Sequence, residues 1–289
     1  MNTSQNPLES NNTTAKKALI LGGGGIAGIA WMTGWLHGAA QKGLDINQFD
    51  EFIGTSAGAT VAAQITSKTS LDQLYENQTN VEKQVAELNP AIPLVKLLLL
   101  FLPALFLRKD KILFCKRIAA IAKRHAPNLE QQRRAIIKQR LTYPHWPEKT
   151  LKIMAINGKT GKTTCFTKNS EVTLIDAVTA SCAVPGVWPP VTIDNDWFID
   201  GGIISHSNAD QALPCQLALS LTPLTSEIKE ATILKSNHCK LLSISPDKAS
   251  RKAIGLNPLN PSKRIPAAKA GFNQGCREAA AIIQAINNS

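Results

Sequence analysis

The sequence predicts an α/β fold built on a mainly parallel sheet, and three observations predict it. Lys17 to Leu21 (KALIL) is a short apolar run that stops at glycine, as a buried parallel strand does, and Phe49 to Ile53 reads as a second strand ending at Gly54. Segments with helical spacing follow each of them, Ile26 to about Lys42 and Ala57 to about Thr66. Strand and helix signals then keep alternating along 289 residues, a length that can bury a substantial core in one domain.

Gly43 suits the C-terminal cap of the first helix. Residues 71–87 and 111–140 follow the helical pattern, with Asn128 the expected cap for the second half of the latter. Leu151 to Asn157 and Thr163 to Thr167 read as strands around Gly158-Lys159-Thr160-Gly161, a hairpin signal. Thr173 to Ala183 reads as a helix broken by Val184-Pro185-Gly186. Val191–Ile193 and Trp197–Ile199 are short strands around Asp194-Asn195-Asp196. Leu241–Ile244 is a late strand, and Ala267 to Ile286 a closing helix. Residues 1–15 are expected to form a disordered polar tail.

Composition narrows the function classes. With 44% hydrophobic and 18% charged residues, the chain is neither wholly disordered nor a multi-pass membrane protein. Its formal net charge of +11 calls for a polyanionic partner, a membrane surface or nucleic acid. That excess is local. Residues 108–152 hold 13 basic and 3 acidic side chains, and the segments on either side are nearly neutral. Directly before this block, Leu97 to Leu107 is an apolar run of 11 residues containing Pro103. A bilayer span needs about 20 residues, so no transmembrane helix is expected. The run is either a buried helix capping a pocket or an interfacial segment, in which case 97–152 would meet an anionic membrane surface. An ordinary solvated helical face is the competing reading of the charge. The block has few aromatics for base stacking (Phe114, Tyr143 and Trp146) and no nucleic-acid motif, so no nucleic acid is expected as a partner.

The N-terminus, MNTSQNPLESNNTTAKK, lacks the apolar core of a secretory signal. Cys115, Cys165, Cys182, Cys215, Cys239 and Cys276 include no CxxC pair, which argues against a zinc site or a thioredoxin-type site. Reduced thiols in a cytoplasmic protein are the expectation.

Chemistry concentrates in three motifs. Gly22-Gly23-Gly24-Gly25-Ile26-Ala27-Gly28 follows a strand and opens a helix, a geometry that turns backbone N–H groups toward an anion. The loop fits GxGxxG, but the acidic residue that a dinucleotide site wants at the end of the second strand is absent, since Asp50 and Glu51 lie at its start. An oxyanion hole uses the same geometry. Gly54-Thr55-Ser56-Ala57-Gly58 is GxSxG between a strand and a helix, the setting of a nucleophile elbow. Serine needs a base. His206 is the one histidine worth weighing, while Asp200-Gly201-Gly202 offers a carboxylate at a strand end that can approach a hydroxyl closely. Partial burial would raise its basicity.

Together and in this order, the motifs resemble the patatin-like phospholipase family. Ala180-Ser181-Cys182-Ala183-Val184-Pro185-Gly186-Val187-Trp188-Pro189 looks like that family's Ala/Ser-rich segment, and the likeness spans about residues 16–245. The resemblance implies a three-layer α/β/α sandwich and a Ser–Asp dyad without histidine. Ser56 would be the nucleophile, Asp200 the general base, and the N–H groups of Gly23, Gly24 and Gly25 the oxyanion hole, with Gly54, Gly58, Gly201 and Gly202 as motif glycines. The implied reaction is hydrolysis of fatty-acyl esters of phospholipids, lysophospholipids or related lipids through an acyl-serine, with no metal or cofactor. Residues 90–150 match nothing in the family and are expected to form an apolar and basic helical insertion within a domain over 16–289. Two stretches depart from the pattern. Ala27 stands where the family often has Arg or Lys, and Ser205-His206-Ser207-Asn208-Ala209 replaces Asn-Asn-Pro. A catalytically inactive peripheral membrane protein of the same fold stays open, as does a nucleotide- or phosphate-binding protein using the glycine loop alone.

Overall fold

The computed structural model describes residues 16–86, 107, 109–224 and 228–288. The expected tail at 1–15 and the apolar run up to residue 106 lie outside the described residues. Among the described residues eight strands make one mixed sheet: β1 (Lys17–Leu21), β2 (Glu51–Thr55), β3 (Thr150–Asn157), β4 (Thr163–Phe166), β5 (Val191–Ile193), β6 (Asp196–Asp200), β7 (Leu217–Leu221) and β8 (Lys240–Ile244). Their order is β5-β6-β3-β2-β1-β7-β8, with β4 paired to β3. The run from β3 to β8 is parallel, as expected, while β4, β5 and β6 are antiparallel because they belong to hairpins.

Helices α1 (Gly25–Ala40), α2 (Ala57–Ile65), α3 (Leu71–Thr79), α4 (Lys111–Arg124), α5 (Glu130–Leu141), α6 (Leu174–Ser181), α7 (Ile228–Ser236), α8 (Lys248–Ile254) and α9 (Arg264–Asn287) complete an α/β/α sandwich. The alternation within β1 explains why it reads as a continuous apolar run. Leu19 and Leu21 enter the larger core with Trp31 and Trp35 of α1, whereas Ala18 and Ile20 enter a smaller core with Leu234 of α7. Both faces are buried, so neither tolerates a polar side chain.

α1 is buried along nearly its whole length, and glycine makes that possible. A Cβ on Gly34 or Gly38 would strike the carbonyls of Ala268 or Phe272 in α9, and one on Gly271 or Gly275 would strike those of Trp31 or Trp35. The two helix backbones therefore touch. Trp31 Nε1 donates to Gln274 Oε1 at 3.1 Å and Trp35 Nε1 to Glu278 Oε2 at 2.8 Å, satisfying the indole donors that such close packing buries.

Several expected elements are corrected. The helix expected over 71–87 ends at Thr79, where Asn80 caps a 3-10 turn at Val81–Lys83 through a bond from Glu82 N. The single pattern over 111–140 is two helices, broken at Pro127, and Leu129 rather than Asn128 takes the N-cap position of the second. β2 lies two residues later than Phe49–Ile53, because Asp50 Oδ2 accepts from the Lys17 amide and leaves the ladder to begin at Glu51. The expectation that all thiols are reduced fails for one pair. Cys215 before β7 and Cys239 before β8 form a disulfide, their Cα atoms 5.6 Å apart at the same end of two paired strands.

Candidate active site

The glycine loop leaves the carboxyl end of β1, and the elbow leaves that of the adjacent β2. Ser56 sits between strand and helix at φ 54° and ψ −119°, a backbone state that costs a non-glycine residue about 1–3 kcal/mol. Its flanking glycines are sterically required. A Cβ on Gly58 would run into the Leu21 carbonyl, and one on Gly54 would lie 2.5 Å from Ala59 Cα. Gly58 N in turn donates to Gly22 O, tying the elbow to the glycine loop.

Two partners hold the backbone of the strained residue. Ser56 N donates to Ser181 Oγ at 2.9 Å, and the Ser181 hydroxyl donates onward to Met154 O at 2.6 Å. Cys182 Sγ donates to Ser56 O at 3.1 Å. Burial pushes the Cys182 thiol up to about 11, so it remains a neutral donor beside the serine.

Strand β3 brings Asp200 to the hydroxyl by register. Met154 partners Thr55 on β2, and the next residue, Ala155, partners Asp200 at the end of β6. Ser56 Oγ donates to Asp200 Oδ2 at 2.6 Å, and Gly202 N fixes the other carboxylate oxygen at 2.7 Å. Gly201 permits this approach, since a Cβ there would strike Met154 O. Asp200 is 4% exposed. Burial raises its carboxyl to about 6 against the opposing hydrogen bonds from Ser56 and Gly202. A buried carboxylate with an elevated proton affinity, bonded to a serine hydroxyl, is able to take that proton at neutral pH.

Asp200, not His206, holds the Ser56 hydroxyl. His206 contributes its backbone instead, its carbonyl accepting from Gly23 N at 2.8 Å. Burial holds its imidazole below the usual histidine range, opposed by Glu230. The Gly23 amide is thereby occupied, whereas the Gly24 and Gly25 amides have no acceptor among the described residues. Gly25 lies at φ +59° and opens α1. Ala27 is fully buried and donates its amide to Pro258 O, so this position of the loop supplies no cation.

Two contributors had little signal in the sequence. Ser181 lies in the Ala/Ser-rich segment, where nothing distinguishes it from its neighbours. Asn208 donates through Nδ2 to Thr55 Oγ1, Gly201 O and Ser205 O, clamping the elbow strand to the Asp200 turn. Among the described residues no cluster of three or more His, Cys, Asp or Glu could hold a metal ion.

The patatin-like phospholipase family model matches residues 19–213, a range that holds every one of these groups except Pro258 and Glu230. This chain belongs to the patatin-like phospholipase family. It is accordingly a lipid acyl hydrolase by family, and its sandwich is the patatin-like fold. Among solved structures, VipD from Legionella pneumophila aligns at TM-score 0.48 and 12% identity, over 92% of this chain and 67% of that one. The type III effector protein ExoU aligns at TM-score 0.35 and 12% identity, over 92% of this chain and 53% of its own length. No curated protein matches the sequence.

Proposed function

We propose that Ser56 and Asp200 act as a catalytic dyad that cleaves fatty-acyl esters of phospholipids, lysophospholipids or related lipids. The observation that carries this reading is the buried 2.6 Å bond from Ser56 Oγ to Asp200 Oδ2. Asp200 takes the hydroxyl proton as Oγ attacks the ester carbonyl carbon, and negative charge moves to the carbonyl oxygen. The Gly24 and Gly25 amides donate to that oxygen, and Gly23, already bound to His206, holds the loop in shape. Collapse of the tetrahedral species breaks the ester C–O bond, and the proton on Asp200 passes to the leaving alkoxide. Asp200 then accepts a proton from water as the water oxygen attacks the acyl-serine carbonyl, and it returns that proton to Ser56 Oγ as the Oγ–acyl bond breaks and the fatty acid leaves.

The surrounding organisation follows the same reading: residues 1–15 as a tail, and 16–289 as one hydrolase domain with an apolar and basic helical insertion at about 90–150. Through 97–152 the enzyme would work in the cytoplasm at an anionic membrane surface. No described helix is long and apolar enough to cross a membrane.

Fluorophosphonate labelling tests the dyad directly. Wild type is expected to be modified at Ser56 and the folded Ser56→Ala variant to stay unmodified. Folded wild type that resists labelling and leaves acyl esters intact would overturn the proposal in favour of an inactive relative.

A further inference from the structure

The parallel strands fix which edge of the sheet faces substrate. Ser56 follows the carboxyl end of β2, so the loops after β1, β3, β7 and β8 open on the same edge. Six large apolar side chains are exposed among the described residues, and four of them border this edge.

Two of the four flank the glycine loop. Leu224 is 44% exposed and follows Pro223, which packs on the loop so closely that a Cβ on Gly24 would lie 2.6 Å from Pro223 Cβ. Leu256 is fully exposed, two residues before Pro258, whose carbonyl accepts the Ala27 amide. The other two, Ile112 and Leu113, are each 46% exposed on the first turn of α4. The inner face of α4 packs against Ile199 and the partly buried Ile203 and Ile204, which bracket Asp200-Gly201-Gly202. Ile112 O abuts Gly161 in the turn beyond β3. These apolar side chains therefore stand on both sides of the serine rather than on one loop.

The outer face of α4 has a matching charge. At about 100° per residue, Ile112, Leu113, Lys116, Arg117, Ala120, Lys123 and Arg124 share an arc of about 140°. All seven are exposed, and the helix contains no acidic residue. Cysteine, isoleucine and alanine fill the opposite side, at Cys115, Ile118, Ala119 and Ala122. That opposite side is buried in the protein's own core, so the basic arc, with Ile112 and Leu113 at its start, is the face of α4 left to meet a surface.

We propose that the carboxyl edge docks on an anionic lipid surface. Ile112, Leu113, Leu224 and Leu256 enter the boundary between headgroups and acyl chains, and Lys116, Arg117 and Arg124 meet lipid phosphates, while Lys123 Nζ stays over the Trp197 ring at 3.6 Å. The mouth of the site then opens onto the layer that holds its substrate. This rests on the reading of the protein as a lipid acyl hydrolase, and it names the surface from which the substrate is drawn.

Flotation of the full chain with vesicles tests the surface, using a Ser56→Ala background so that turnover cannot alter the lipid. Phosphatidylcholine vesicles are compared with an equimolar mixture of phosphatidylcholine and phosphatidylserine. Binding is expected to favour the mixture by about tenfold or more and to weaken with salt. Two variants should each lose about tenfold while keeping their unfolding midpoint: Lys116→Glu with Arg117→Glu and Arg124→Glu, and Leu224→Ser with Leu256→Ser. Equal binding to both vesicle types, no binding, or variants that bind like the parent would overturn the proposal. So would concentration-dependent self-association that the same substitutions abolish, which would make the face a contact between copies. Wild-type activity on a soluble short-chain ester is measured separately. Its absence with the flotation pattern intact would remove the dyad and leave the docking surface standing.

Discussion

The turn carrying Ser56 and the turn carrying Asp200 are built in opposite ways. The elbow is a local device: two glycines in five residues, a positive-φ serine between them, and a helix that starts at the next residue. The Asp200 turn has ordinary backbone and owes its position to distant parts of the chain. Its strand is registered on β3, its amide donates to Ala183 O, and Asn208 ties Gly201 to Thr55. One arm of the site stores strain, and the other stores a misplaced charge. Each is held by its surroundings at a cost to stability.

Substitutions can separate the two costs. The largest expected effect is on turnover: Asp200→Asn should lower kcat by about 10³–10⁴-fold by removing the base, measured with a soluble ester. Loss smaller than tenfold would shift the role of base to His206. Next is Gly58→Ala. A methyl group driven into the Leu21 carbonyl should cost about 4 kcal/mol or more, read as a drop in denaturant midpoint or failure to fold.

Asp200→Asn should also stabilise the protein, and the sign depends on pH. The folded carboxyl titrates at about 6 and the unfolded one at the ordinary 3.8. The folded state therefore holds its proton more tightly. That stabilisation is complete below pH 3.8 and is lost as pH rises through 6, leaving wild type about 3 kcal/mol less stable at pH 8 than it would be with an ordinary carboxyl. Denaturant melts of the two proteins should diverge at pH 8 and converge near pH 4. In wild type, kcat/KM should fall about tenfold per unit below pH 6, as the base becomes protonated. A profile flat down to pH 4 would contradict the raised carboxyl.

The smallest effect is expected at the support of the elbow. Ser181→Ala leaves the Ser56 amide without its acceptor, which should cost about 1–2 kcal/mol of stability and reduce kcat more than it raises KM. Unchanged kcat would mean that Gly54 and Gly58 hold the elbow by themselves.

How far the site was legible follows from this contrast. Glycines that admit no Cβ leave a fixed spacing in the sequence, so Gly54, Gly58 and Gly201 stood out with Ser56 and Asp200. Hydrogen-bonding residues such as Ser181 and Asn208 carry no such mark, because many side chains of that type occur nearby and only packing selects one. The sheet shows the same division. β1 was readable from two apolar faces and a glycine stop. β7 (LALSL) carries no such signal, although it pairs on both sides inside the sheet, between β1 and β8, because Pro214 and Cys215 precede it and no glycine ends it. The basic segment gives a helical pattern and a boundary one residue early, since Asn128 offers the better capping side chain but Leu129 takes the N-cap position.

The sequence by itself determined the family, the alternating α/β class, the elbow and the candidate nucleophile and base, because each depends on residues that are close along the chain or sterically irreplaceable. Tertiary structure decided the rest. It chose Asp200 over His206 for the hydroxyl through the one-residue step between Thr55 and Asp200 on β3. It occupied the Gly23 amide with a carbonyl from 183 residues away, and it paired Cys215 with Cys239 across adjacent strands. Proximity of that kind is set by register and packing between strands, and no local pattern encodes it.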